Sequence, residues 1–232
     1  MVIIDPGHGG WDPGGGSNVY FKEKDITKKI SDYQKRRFDE LGISSSLVRQ
    51  SDDTLSPNAR INKIKELNPT VNDILISNHI NTGGSKGGEV IYSIRSSDVL
   101  PNLIASNLKE QGVIIRNVYQ RLNRLGKDYY FILRDTIPNT AMIIEYGFAD
   151  NDEDVYKIMY EWPKLAESVV KAISNYLNVP YSSPKNIMYI VKPNDTLFSI
   201  SQEYNIPISK IKEDNNLNSD VIYPLAELKL NK

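Results

Sequence analysis

Only two histidines occur in the 232 residues, and each follows an apolar run. His8 comes after Ile3-Ile4-Asp5-Pro6-Gly7 and is bracketed by glycines, while His79 comes after Ile74-Leu75-Ile76-Ser77-Asn78. An apolar run that stops at a titratable group reads as a strand carrying that group on its end, which is where open α/β sheets place their sites. One histidine alone is more often an ordinary surface or core residue. Two in the same context are candidates to work together. A catalytic zinc takes three protein ligands and keeps one position open, and two histidines with a carboxylate are one of the usual sets. There is no cysteine, so disulfides and thiolate metal sites are excluded and imidazole and carboxylate remain as the strong ligands. Bound zinc acidifies water to a pKa of about 7 and polarises a carbonyl oxygen. A further glutamate is then needed to take the water proton and return it to a departing amine. Glu23, near the start of a helical pattern, and Glu145, which ends the apolar run Ala141-Met142-Ile143-Ile144, are available. A charge at the end of such a run is costly unless it is paired, hydrogen-bonded or near a metal; the plain alternative is a strand-end glutamate in water. The chemistry does not decide which glutamate does which job.

These groups need elements to carry them. Val2 to Asp5 reads as a buried strand, and the Pro/Gly-rich stretch from Pro6 to Gly16 as a long loop. Ile26, Ile30, Tyr33, Phe38 and Leu41 recur at helical spacing until Gly42 stops the pattern. Ile43 to Arg49 reads as a strand. Ser56-Pro57 supplies a cap and first-turn proline for a helix with Ile61, Ile64 and Leu67 on one face. Asn72 to Ser77 returns as a strand leading to His79, and Glu89 to Ile94 as another. A helix spans Asp98 to Gln111, and Tyr129 to Leu133 and Ala141 to Glu145 read as two more strands. A short helix starts in Asp150 to Asp154 and a longer one covers Trp162 to Leu177. The glycines of residues 83–88 lack the order of a phosphate loop, and Asp12 stands where a dinucleotide fingerprint needs its third glycine.

Charge is balanced, with 28 Lys+Arg against 29 Asp+Glu, so the basic footprint of a nucleic-acid binder is missing. Apolar stretches stay far below the roughly 18 residues of a membrane span. The chain opens on a strand-like run rather than on a recognisable signal peptide, so export by that route is not expected. Pro180-Tyr181-Ser182-Ser183-Pro184 has the character of a linker. It divides residues 1–179 from a small module at 188–232, with 180–187 between them.

The stretches IDPGHGG, KEKDI, SNHIN and IIEYGFADNDED, in this order and spacing, resemble the zinc-dependent N-acetylmuramoyl-L-alanine amidases of bacterial cell-wall and phage-lysin type, over about residues 1–178. The resemblance implies that His8, Glu23 and His79 bind Zn2+ and that Glu145 acts in catalysis. It also implies an α/β fold, a mixed twisted sheet flanked by helices. Arg60 and Asn81 resemble an arginine and an asparagine of the family and take supporting roles, although an arginine on a helix is as readily a solvated or ion-paired surface group. Gly14-Gly15-Gly16-Ser17, before Glu23, is more glycine-rich than the family pattern.

The tail, from Tyr189-Ile190-Val191-Lys192-Pro193-Asn194-Asp195-Thr196-Leu197, resembles the opening of a LysM module, with Asn194 and Leu225 at positions usually held by glycine. Such a βααβ unit implies binding to glycans that contain N-acetylglucosamine. The implied substrate is peptidoglycan, with its glycan strands at the LysM module and the muramoyl-peptide at the zinc site. The expected reaction is cleavage of the amide between N-acetylmuramic acid and L-alanine, on the cell wall, by a phage lysin released through membrane holes or by an enzyme of mother-cell lysis. The competing readings are a zinc peptidase acting within the stem peptide and a peptidoglycan-binding protein without catalysis.

Overall fold

The computed structural model describes residues 1–231. Six strands, β1 (Val2–Pro6), β2 (Ser45–Leu47), β3 (Ile74–Asn81), β4 (Gly88–Tyr92), β5 (Ile115–Tyr119) and β6 (Thr140–Phe148), form one sheet in the order β2-β1-β3-β6-β4-β5. The first four of that order are parallel, β4 is antiparallel to β6, and β5 is parallel to β4. The sheet is therefore mixed, and helices cover both faces. They are α1 (Glu23–Glu40), α2 (Pro57–Glu66), α3 (Val99–Glu110), α4 (Phe131–Arg134), α5 (Asp152–Tyr160) and α6 (Trp162–Tyr176).

Strand alternation sends successive side chains to opposite faces. Val2 and Ile4, Ile74 and Ile76, and Met142 and Ile144 pack under α1, α3 and α6 with Ile30, Ile104, Leu165 and Val169. Ile3, Leu75, Ile91, Ala141 and Ile143 pack on the opposite face with Ile61 and Ile64 of α2 and Ile132 and Leu133 of α4. Continuing the second parity along each strand leads from Ile3 to Asp5, from Leu75 through Ser77 to His79, from Ile143 to Glu145 and from Ile91 back to Glu89. The polar groups thus continue a hydrophobic face, with Arg60 of α2 and Phe131 and Ile132 of α4 still lying over them.

The Ser56-Pro57 start holds: Ser56 accepts from the Ala59 N–H at 3.3 Å and Pro57 is the first helical residue, a cap worth about 1 kcal/mol. Tyr129 to Leu133 differs from the expectation. It is not a strand but leads into the single turn α4, because Tyr130, Phe131, Ile132 and Leu133 all pack against one cluster, and four consecutive residues reach one side only when the chain coils. The edge strand β5 is absent from the sequence reading, since Arg116 and Asn117 at its centre are exposed. β3 also runs past His79 to Asn81, with a register shift between the two, so His79 lies within the strand rather than beyond it.

A second, two-stranded sheet pairs β7 (Asn186–Ile190) with β8 (Glu227–Asn231), antiparallel, around α7 (Leu197–Tyr204) and α8 (Ile208–Asp214). This βααβ unit has its own core of Tyr189, Val191, Leu197, Ile200, Ile206, Ile211, Leu228 and Leu230. Asn194 and Leu225 both adopt positive φ, 70° and 71°, at the two positions where glycine is usual. Among the described residues no helix is long and apolar enough to cross a membrane.

Candidate metal centre

His8, Glu23 and His79 come from three separate parts of the chain: the loop after β1, the first residue of α1 and the C-terminal part of β3. Their donor atoms all lie within 4.8 Å of one another. Glu23 is the centre of the group. Its Oε2 lies 3.1 Å from His8 Nε2, its Oε1 lies 3.0 Å from His79 Nδ1, and the two rings meet edge-on with centroids 5.0 Å apart.

Local structure holds each donor. His8 adopts φ 60°, a left-handed conformation that a residue with a Cβ enters at a cost of about 1–2 kcal/mol. Its backbone carbonyl accepts from Arg60 Nη2 at 2.8 Å, and its Nδ1 is 2.8 Å from Asp12 Oδ2, which leaves Nε2 to face Glu23. Gly7 has no room for a side chain, because a Cβ there would stand 2.5 Å from His79 Cε1. Thr27 Oγ1 donates to the Gly7 carbonyl at 2.9 Å and ties the loop to α1. The Glu23 carboxylate accepts the N–H of Gly16 at 2.8 Å and that of Ile80 at 2.9 Å. The glycine-rich loop therefore has a clear task. At Gly14, with φ 91°, a Cβ would lie 2.3 Å from Glu23 Oε2, so only glycine lets this turn pass against the carboxylate.

Glu145 stands opposite His79 in the parallel β3–β6 register and opposite Glu89 in the antiparallel β4–β6 register. With Asp5, His8, Arg60, Ser77, His79, Tyr130 and Phe131 it lines a cavity of about 210 Å³. Among the described residues its Oε2 is buried without a hydrogen-bond partner. Burial raises its carboxyl to about 7; the charges of Glu23 and Glu89 push the same way and His79 and His8 oppose it. Burial also works against charge on His8, but its hydrogen bond and attraction to Glu23, with Asp12 adding, outweigh that and lift it to about 9. Glu23 is itself buried, yet its hydrogen bonds to His79 and His8 hold its carboxyl well below the usual range.

Arg60 is buried, not solvated. It pairs with the buried Asp5 carboxylate and also donates to the Pro6 carbonyl at 2.8 Å, while Asp5 accepts from Ser77 Oγ at 2.7 Å. Asn81 is not brought to the cavity; its side chain donates to Glu89 Oε2 at 3.2 Å and accepts from the Thr82 N–H at 2.8 Å. Asp5 is absent from the candidates drawn from the sequence, although it carries the same signal as Glu145, a carboxylate ending an apolar run. Absent too are Asp12, four residues from His8 in an aperiodic loop, and the buried network Ser31–Asn78–Gln34–Tyr146 on the opposite face, where Asn78 donates to Ser31 and Gln34 at 2.8 Å and accepts from Tyr146 Oη at 2.8 Å. The contacts of the network span sequence separations that no local pattern reveals. The network fixes α1, and so Glu23, against β3.

The sequence profile of the family described as N-acetylmuramoyl-L-alanine amidase matches residues 2–175, and that of the LysM domain matches residues 189–230. The chain is similar to the sporulation-specific N-acetylmuramoyl-L-alanine amidase of Bacillus subtilis (strain 168), 27% identical over 198 residues, covering 79% of this chain and 69% of that protein. It is also similar to the endolysin of Bacillus phage SPP1, 28% identical over 244 aligned positions, covering 92% and 85% of the two chains. Among solved structures, the catalytic domain of CwlV, an N-acetylmuramoyl-L-alanine amidase from Bacillus (Paenibacillus) polymyxa var. colistinus, matches with a TM-score of 0.66 at 21% identity, covering 77% of this chain and 98% of that one. At that identity the likeness speaks for the fold alone.

Proposed function

The chain belongs to the family of N-acetylmuramoyl-L-alanine amidases, with a LysM domain behind the amidase part, and from that premise we propose that it cuts the amide between the lactyl group of N-acetylmuramic acid and L-alanine at a zinc ion held by His8, Glu23 and His79. Its substrate is peptidoglycan and its place of action the cell wall. The observation that carries the reading is the meeting of a ready three-donor group with a buried carboxylate oxygen, Glu145 Oε2, that has no partner.

The donor set fits zinc. Two imidazole nitrogens and one carboxylate are a usual catalytic combination. Asp12 engages the outer nitrogen of His8, the kind of second contact that orients a ligating histidine. When bound, zinc would supply an electrophile for the scissile carbonyl and an acidified water. Glu145, raised to about 7, is poised to hold a proton and to give it up near neutrality, as a carrier between the water and the leaving L-alanine nitrogen must. Arg60 acts through the loop, by holding the Pro6 and His8 carbonyls. Phe131 and Ile132 give the cavity that Glu145 lines an apolar wall, in keeping with the burial that raises its carboxyl.

The reading includes a division into a catalytic part at 1–179, a linker at 180–187 and a LysM module at 188–232. It is supported by the two separate sheets and by the two profile matches, although the last two linker residues already pair in β7. The module would hold glycan strands and raise the local concentration of muramoyl-peptide at the metal. The names of the phage endolysin and the sporulation-specific amidase suggest two settings, phage-driven lysis and mother-cell lysis. Mass spectrometry of digested peptidoglycan tests the cleavage: new L-alanine amino termini with intact glycan chains are expected, and new termini within the stem peptide would replace this reading by a peptidase.

A further inference from the structure

Beside the catalytic cavity the sheet ends in a cationic edge that the proposed mechanism does not use. Glu145 is followed across the sheet by its register partner Glu89 on β4, whose buried carboxylate pairs with Arg116 of the edge strand β5. The Arg116 side chain is half exposed beyond that pair. Arg121, just past β5, is exposed and lies 4.0 Å over the Tyr129 ring, while its Nη1 donates to Tyr130 Oη at 3.1 Å. Tyr130 lines the cavity that holds His8, His79 and Glu145. Among the described residues Arg121 has tyrosines for partners and no carboxylate. Arg124 and Lys127 of the same loop are exposed as well.

A guanidinium pre-set on two aromatic rings, with most of its donors free, is a carboxylate receptor: the rings remove the entropy of the long side chain, and the planar fork matches a carboxylate in two hydrogen bonds. In peptidoglycan the groups that carry free carboxylates belong to the stem peptide, whereas the glycan is a chain of neutral amino sugars apart from the lactyl group engaged in the amide. We infer that Arg121, with Arg116 beside it, receives the free α-carboxylate of the second stem residue, D-glutamate, so that the peptide leaves the cavity over the β5 edge. This rests on the proposed muramoyl-L-alanine cleavage and adds to it the direction of the peptide and a preference for an acidic second residue.

The test uses the full-length zinc-loaded protein and two uncross-linked peptidoglycans, one with D-glutamate and one with the amidated D-isoglutamine at the second stem position, and follows the release of L-alanine amino termini. The wild type should show a KM about tenfold lower for the acidic substrate with kcat little changed, as expected when one charge-assisted hydrogen bond is gained. Arg121→Gln should lose that preference, its KM values for the two substrates converging, and Arg121→Lys should keep part of it. Equal KM values for the two substrates in the wild type would overturn the inference, whatever the variants do. So would an Arg121→Gln protein that keeps the preference. A wild type that releases L-alanine termini from neither substrate would strike the cleavage reading itself, and the inference with it.

Discussion

Glu145 faces His79 across the parallel pair of β3 and β6, and its Oε2 is buried with no hydrogen-bond partner among the described residues. An isolated buried carboxylate is a cost in folding, so a site that keeps one has a use for it. Replacing it with glutamine should leave zinc content and melting temperature at or above the wild-type values, because the change removes a buried charge and no folded-state hydrogen bond to this oxygen. Amide cleavage should fall by about 10²–10⁴. Near-normal lysis by Glu145→Gln would rule out its role as the proton carrier.

Arg60 and Asp5 form a buried pair that also fixes the carbonyls of Pro6 and His8. Arg60→Ala leaves the Asp5 charge without its partner, and breaking a buried pair from one side typically costs about 3–5 kcal/mol. Denaturant unfolding should show a loss of that order, together with weaker zinc binding. A destabilisation below about 1 kcal/mol would mean that Arg60 is the surface group its helix position suggested.

The loop before Glu23 offers a paired comparison. Gly14→Ala places a methyl group 2.3 Å from Glu23 Oε2 at a residue with φ 91°, whereas at Gly15 the nearest atom to a new Cβ is 3.8 Å away. Zinc affinity should drop by at least about tenfold in Gly14→Ala, in line with a loss of ligand positioning, and stay near the wild-type value in Gly15→Ala. Equal affinities in the two variants would contradict the role given to the loop.

Protons and metal compete for His8. Its value in the metal-free protein is raised from 6.5 to about 9, so the charged form stabilises the fold; that contribution is complete below about 6.5 and is lost as pH rises through about 9. The metal-free protein should therefore lose melting temperature over this window, while zinc binding, which needs the neutral imidazole, should strengthen over the same window and release protons at neutral pH. Calorimetry in two buffers of different ionisation enthalpy measures the release. No proton release at pH 7 would contradict the coupling.

Much of the site is legible in the sequence because its residues sit where regular patterns break. His8, His79 and Glu145 follow or end apolar runs and Glu23 opens a helical pattern, although their roles come from the family resemblance, and Ser56-Pro57 announces a helix without announcing that its Arg60 turns inward. What is not legible depends on contacts that no regular pattern announces, whether within an aperiodic loop or between distant parts of the chain. Asp12 beside His8 and the Asn78–Tyr146 hydrogen bond have no periodic signature. The run from Tyr129 to Leu133 is apolar in either conformation, and only its packing on a single cluster selects the helical turn that places Tyr130 and Phe131 over the cavity. β5 is hidden for the opposite reason, since an edge strand with Arg116 and Asn117 outward lacks an apolar run.

The central claim is that two histidines and Glu23 hold the zinc at which the amide is cut. Metal-free wild-type protein, titrated with zinc while L-alanine amino termini are counted, should regain full activity at one equivalent, and His79→Ala should neither retain zinc nor recover. Full activity without zinc, or recovery of His79→Ala at the same stoichiometry, would contradict it.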